Sequence, residues 1–265
     1  MSSEFTKANI DMYLKELAKE YRKQVGKTMP GEIILIGGAS VLINYGFRNM
    51  TTDIDAIISG ASAMKDALTL IRDRFDLPVG WLNSDFMNTD SYTPKLTEFS
   101  TYYRTFSNVL TVRTVSAEYL IAMKLKSGRQ YKNDLSDVLG ILIEHQRSGN
   151  PITLDLIQKA SSDLYGSWYS IPEPSRFFIR NVMERQSEDL EKLYAEIVLG
   201  EQETRMLLMD FEENNPEPVS PAEVNRITET LQNNSERVSV ISKLRQISSN
   251  MNHDNPTKHH DEMER

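Results

Sequence analysis

The most constraining stretch of the chain is Glu32-Ile33-Ile34-Leu35-Ile36, closed by Gly37-Gly38. Its apolar residues are β-favouring and do not alternate with polar ones, the pattern of a strand buried on both faces. Such a strand needs cover above and below. The segments around it supply that cover. Phe5, Ile10, Leu14, Leu17, Tyr21 and Val25 recur at helical spacing over residues 5–25. A short helix is expected over Ala39–Tyr45, a second strand over Asp53–Ile58 and a helix over Ala61–Phe75. Residues 76–95 read as a long polar loop anchored by Trp81, Leu82 and Phe86. Residues 96–115 read as two strands around a Ser107-Asn108 turn. Ser116 is placed to cap a helix reaching Ser127, and another helix is expected from Lys132 to Gln146.

Beyond Ser148 the strand pattern stops. Thr153–Leu164, Pro174–Phe211 and Pro221–Asn250 read as helices, with a linker over Asn214–Pro221 and a disordered polar tail over 251–265. The expectation is an α+β chain. A head over residues 1–150 has a mixed sheet and flanking helices, and an all-helical region follows over 151–250.

Charge and composition narrow the function classes. The net charge of −8 is concentrated late, since residues 196–265 hold 14 acidic and 7 basic side chains. A globally basic nucleic-acid surface is excluded, while a local basic site in the head is not. There is no cysteine, which removes disulfides, thiolate nucleophiles and cysteine metal sites, and agrees with a cytoplasmic location. The first residues mix charges and lack an apolar signal-peptide core. No apolar run reaches membrane-spanning length.

Three groups of residues carry chemistry. Gly37, Gly38 and Ser40 sit at a strand-to-helix junction, where free N–H groups suit an anion; a tight turn would use the same glycines. Asp53 and Asp55 lie two apart on a strand and share one face. Two adjacent carboxylates on an otherwise apolar strand need a counter-charge, and Mg²⁺ is a natural one. Lys124 falls in an apolar helix, Arg129 follows it, and Asp134 and Asp137 share one face of the next helix. Each of these four also has a plain reading as a solvated or helix-end charge. Arg48 reads equally as a phosphate contact or a loop charge. Tyr102, Tyr103 and Phe106 read as core aromatics before base-stacking ones, and Trp168, Tyr169, Phe177 and Phe178 as core of the helical region.

The run GGASVLINYGFRNMTTDID resembles the nucleotidyltransferase (DNA polymerase β-like) superfamily. The later run EYLIAMKLKSGRQYKNDLSD is similar to its AbiEii-type toxin branch. The resemblance covers about residues 30–145. It implies that Gly37, Gly38 and Ser40 hold nucleotide phosphates and that Asp53 and Asp55 bind Mg²⁺. It further implies that Lys124 and Arg129 contact the triphosphate, and that Asp134 or Asp137 completes the site. The implied reaction is transfer of a nucleoside monophosphate from an NTP to an acceptor hydroxyl, on tRNA, another RNA, a protein or a small molecule. A toxin with a separately encoded antitoxin protein is the implied role. Many superfamily members carry a third metal-binding acid on a later strand. Here Leu110–Val115 has none, and Glu98 is the only acid over 96–104. That departure keeps a second reading open, a nucleotidyltransferase-fold binding or regulatory module with little catalysis.

Overall fold

The computed structural model describes residues 4–129, 132–185 and 187–215, together with 223–224, 226–227 and 230. The expected helix over 221–250 and the tail fall outside these residues apart from those few positions, as does most of the expected linker. Helix α1 (Lys7–Val25) leads into β1 (Gly31–Leu35), α2 (Gly37–Asn44), β2 (Ile54–Ser59), α3 (Ala63–Phe75) and a two-residue β3 (Leu82–Asn83). The hairpin β4 (Ser100–Phe106) and β5 (Leu110–Val115) follows, and then α4 (Ala117–Ser127) and α5 (Asp134–Arg147). The chain continues through α6 (Leu154–Tyr165), α7 (Glu173–Met183) and α8 (Ser187–Asn214). The architecture is α+β, a mixed sheet with flanking helices followed by helices alone.

The five strands run in the order β3-β2-β1-β5-β4. Strand β1 is central, antiparallel to β2 and parallel to β5. It is buried on both faces, as its composition requires. Ile33 and Leu35 pack with α1 and α3 residues such as Leu14, Tyr21 and Ile71. Ile34 and the adjoining Ile36 pack with Leu120 of α4 and Val138 of α5. The β4–β5 turn falls at Ser107-Asn108, both at positive φ, the backbone that a two-residue hairpin turn demands. The core containing Ile34 continues to Ile157, Phe178, Leu190 and Ile197, so helices on either side of residue 150 share it.

Four local expectations are corrected. The 76–95 segment is not loop throughout, because Leu82 and Asn83 pair in parallel with Ile54 and Asp55 and extend the sheet edge. Trp81, Leu82 and Phe86 are buried there as expected. The helix expected over Pro174–Phe211 is two helices, α7 and α8, and the Ser187-Glu188-Asp189 run has the residue types that favour a new helix start. Ser116 does not cap α4 with its side chain; its hydroxyl donates to the Phe99 carbonyl at 2.7 Å. Tyr169 is exposed, while Trp168 and Phe178 are core.

Candidate functional site

Asp53 and Asp55 flank Ile54 at the start of β2. Ile54 is fully buried, so the strand alternation turns both carboxylates toward the opposite side. They line a cleft of about 210 Å³ with Gly37, Asp85, Phe86, Lys124, Arg129 and Asp134. Burial, and then the neighbouring Asp53 charge, push the Asp55 carboxyl up to about 6, against the pull of Arg129, Lys132 and Lys124. Asp53 accepts a hydrogen bond from the Thr51 hydroxyl at 3.3 Å. Asp85 lies on the one-turn helix after β3; its place in the cleft depends on the β2–β3 pairing and has no signature in the sequence.

Gly37 opens α2 at the cleft. Ile36, its N-cap, makes no side-chain cap bond, and the first N–H groups of a helix lack intrahelical partners. Gly37 has φ +53°, and a β-carbon built there would lie 3.7 Å from Asp55 Oδ2. Gly37→Ala is therefore expected to cost about 1–2 kcal/mol from the left-handed backbone alone, seen as a drop of a few degrees in Tm. Gly38 packs under Arg48 and Thr51, where a β-carbon would come within 2.7 Å of the Thr51 hydroxyl. Ser40 departs from its expected role. It is fully buried, its hydroxyl has no partner among the described residues, and its N–H is spent on the Ile36 carbonyl. The helix starts at Gly37, which carries Ser40 a turn inward and away from the cleft lining.

One side of the cleft is a chain of ion pairs. Lys124 is buried and donates to Asp134 at 3.0 Å and Asp137 at 2.7 Å. Arg129 donates to Asp134 through Nε at 3.0 Å and through its backbone N–H at 3.2 Å. Arg48 pairs with Asp137 at 2.6 Å. Burial pushes the Lys124 ammonium down, but Asp137 and Asp134 outweigh it and raise it above the ordinary lysine range. Burial likewise pushes Asp134 up, and Lys124 and Arg129 outweigh it and hold it well below the usual carboxylate range. Asp134 therefore contributes stability that is fully present above the ordinary carboxylate pKa of about 4 and lost as pH falls from there toward its lowered native value. Melts between about pH 4 and pH 2 should show an acid-side loss of Tm that Asp134→Asn flattens. Asp134 lines the cleft, whereas Asp137 lies between Lys124 and Arg48 and faces a second cavity. Arg48 is thus neither a free loop charge nor a lining residue of the first cleft; it neutralises Asp137, a role visible only once residues 48 and 137 are brought together. Tyr102, Tyr103 and Phe106 do not line the cleft, whose aromatic residue is Phe86, and Tyr102, expected in the core, is exposed.

A family model described as "Nucleotidyltransferase of unknown function (DUF6036)" matches residues 12–177. The chain belongs to this family. The match takes in every residue of the cleft and ends within α7, before α8 begins. No curated protein and no solved structure matches the chain. As a member of a nucleotidyltransferase family, it has NTP as its implied substrate. No helix among the described residues is long and apolar enough to cross a membrane.

Proposed function

We propose that the cleft transfers a nucleoside monophosphate from an NTP to an acceptor hydroxyl, with Mg²⁺ held by Asp53 and Asp55. The observation that carries this reading is Asp55. Its carboxylate is half-buried, sits beside a second carboxylate, and receives no hydrogen bond from the described residues. A divalent cation answers that electrostatic need. Among the described residues no group of three or more His, Cys, Asp or Glu could hold a metal. Two carboxylates plus substrate phosphates are nevertheless a usual donor set for Mg²⁺.

A bound Mg²⁺ would orient the phosphates and stabilise charge on the attacking and leaving oxygens. The remaining work falls to the chain. The uncapped start of α2 at Gly37 offers N–H groups to a phosphate. Lys124 and Arg129, already fixed by Asp134, meet the triphosphate as positioned charges. An acceptor oxygen attacks the α-phosphorus, pyrophosphate leaves with the bonding pair, and the hydroxyl proton is released. The similarity to AbiEii-type toxins supports an RNA end, tRNA included, or a protein hydroxyl as acceptor, and a toxin role with an antitoxin partner. Incubating the protein with Mg²⁺, each α-labelled NTP and a cell extract tests this. Label appearing in RNA or protein is the expected result.

One observation favours a second reading, a binding module with weak catalysis: Lys124 is buried and already shared between Asp134 and Asp137. Under that reading labelled NTP binds and no label is transferred.

A further inference from the structure

We infer that Glu201 of α8 is a positioning residue for the cationic wall of the cleft, capping the first turn of α5 and so fixing Asp134 and Asp137. The inference rests on the nucleotidyl-transfer reading above. Helix α5 has no side-chain cap of its own at Asn133. Its first N–H groups lack partners by helix geometry and need an acceptor from elsewhere. Glu201 Oε1 accepts from the N–H of Leu135 at 3.0 Å and of Ser136 at 3.3 Å, across 66 and 65 residues of sequence. These donors lie between Asp134, which holds Lys124 and Arg129, and Asp137, which holds Lys124 and Arg48. One helical turn on from Glu201, Arg205 donates to Asn133 Oδ1 at 2.6 Å. Helix α8 thus grips the start of α5 at two points.

The cost of this arrangement argues against simple packing. Glu201 is 4% exposed, and its second oxygen, Oε2, has no hydrogen-bond partner among the described residues. It borders a cavity of about 320 Å³ shared with Arg48, Asp137, Tyr194 and Arg205. Burial pushes its carboxyl up to about 8, against the hydrogen bonds from Ser136, and Asp134 and Asp137 add to the rise. An apolar residue would fill this space without that penalty but would leave two N–H groups unpaired. A glutamine keeps the same acceptor oxygen and carries no charge. It is therefore the variant that keeps the cap.

The test is binding of inorganic tripolyphosphate by calorimetry, on variants whose folded fraction is checked by thermal melting. Glu201→Ala should weaken binding roughly tenfold, because the loosened turn lets Lys124 and Arg129 drift from the phosphates. Glu201→Gln should restore affinity to within about threefold of wild type, since the cap survives. Wild-type affinity in Glu201→Ala overturns the inference, and so does Glu201→Gln binding as weakly as Glu201→Ala. If Glu201→Ala does not fold, Glu201→Asp, one methylene shorter, takes its place. It should fall between wild type and the loss expected for alanine, and wild-type affinity there overturns the inference equally. A wild-type protein that binds no tripolyphosphate overturns the cleft reading itself and this inference with it, so the two failures are told apart.

Discussion

Replacing Asp53 with alanine is expected to abolish label transfer from α-labelled NTP, a loss of roughly 10³-fold or more. Only two carboxylates share the β2 face of the cleft, so no third acid on that strand can take over. Asp55 would be left without its neighbour's charge, and any cation with one strand ligand. The fold should survive the change, because Ile54, not Asp53, is the residue that β2 commits to the core. Wild-type and variant proteins should therefore melt within a few degrees of each other while transfer separates them completely. Transfer retained in Asp53→Ala would remove the aspartate pair from the mechanism.

The second large effect is on stability. Lys124→Met should lower Tm by about 10 °C, from a loss near the lower end of the roughly 3–5 kcal/mol cost of breaking a buried ion pair. Methionine keeps an unbranched apolar stem on an otherwise apolar helix but removes the ammonium shared by two buried carboxylates. Arg129 and Arg48 still face Asp134 and Asp137 respectively, which is why the lower end applies. Adding Asp134→Asn to Lys124→Met should recover part of the loss, a non-additivity that a double-mutant cycle measures directly. A Tm within about 2 °C of wild type would mean that Arg48 and Arg129 alone neutralise the pair.

Elements that the sequence announces through local pattern are those whose partners are near in the chain or whose burial is complete. The unbroken apolar run at β1, the Ser107-Asn108 turn and the aspartates flanking a core Ile54 are of this kind. β3 escapes because two residues carry no periodicity. The α7–α8 break escapes because the polar run across it, residues 184–189, is also what the solvated face of one long charged helix carries. The misplacement of Ser40 is a matter of phase: a helix beginning at Gly37 and not at Ala39 rotates the serine into the interior. Arg48 and Glu201 escape for a deeper reason. Their partners lie 89 and 66 residues away, and pairing through space leaves no trace in neighbouring residues.

The hold of α8 on α5 also sets an order of assembly. Every residue that lines the cleft has been synthesised well before Glu201 leaves the ribosome. The sheet and both its layers can form around β1 during that interval, yet the first turn of α5 lacks the Glu201 acceptor for its N–H groups until α8 arrives. The nascent chain thus passes through a stage in which the cleft's residues are all present and its cationic side is unanchored. On the inference above, phosphate affinity matures only once α8 is in place.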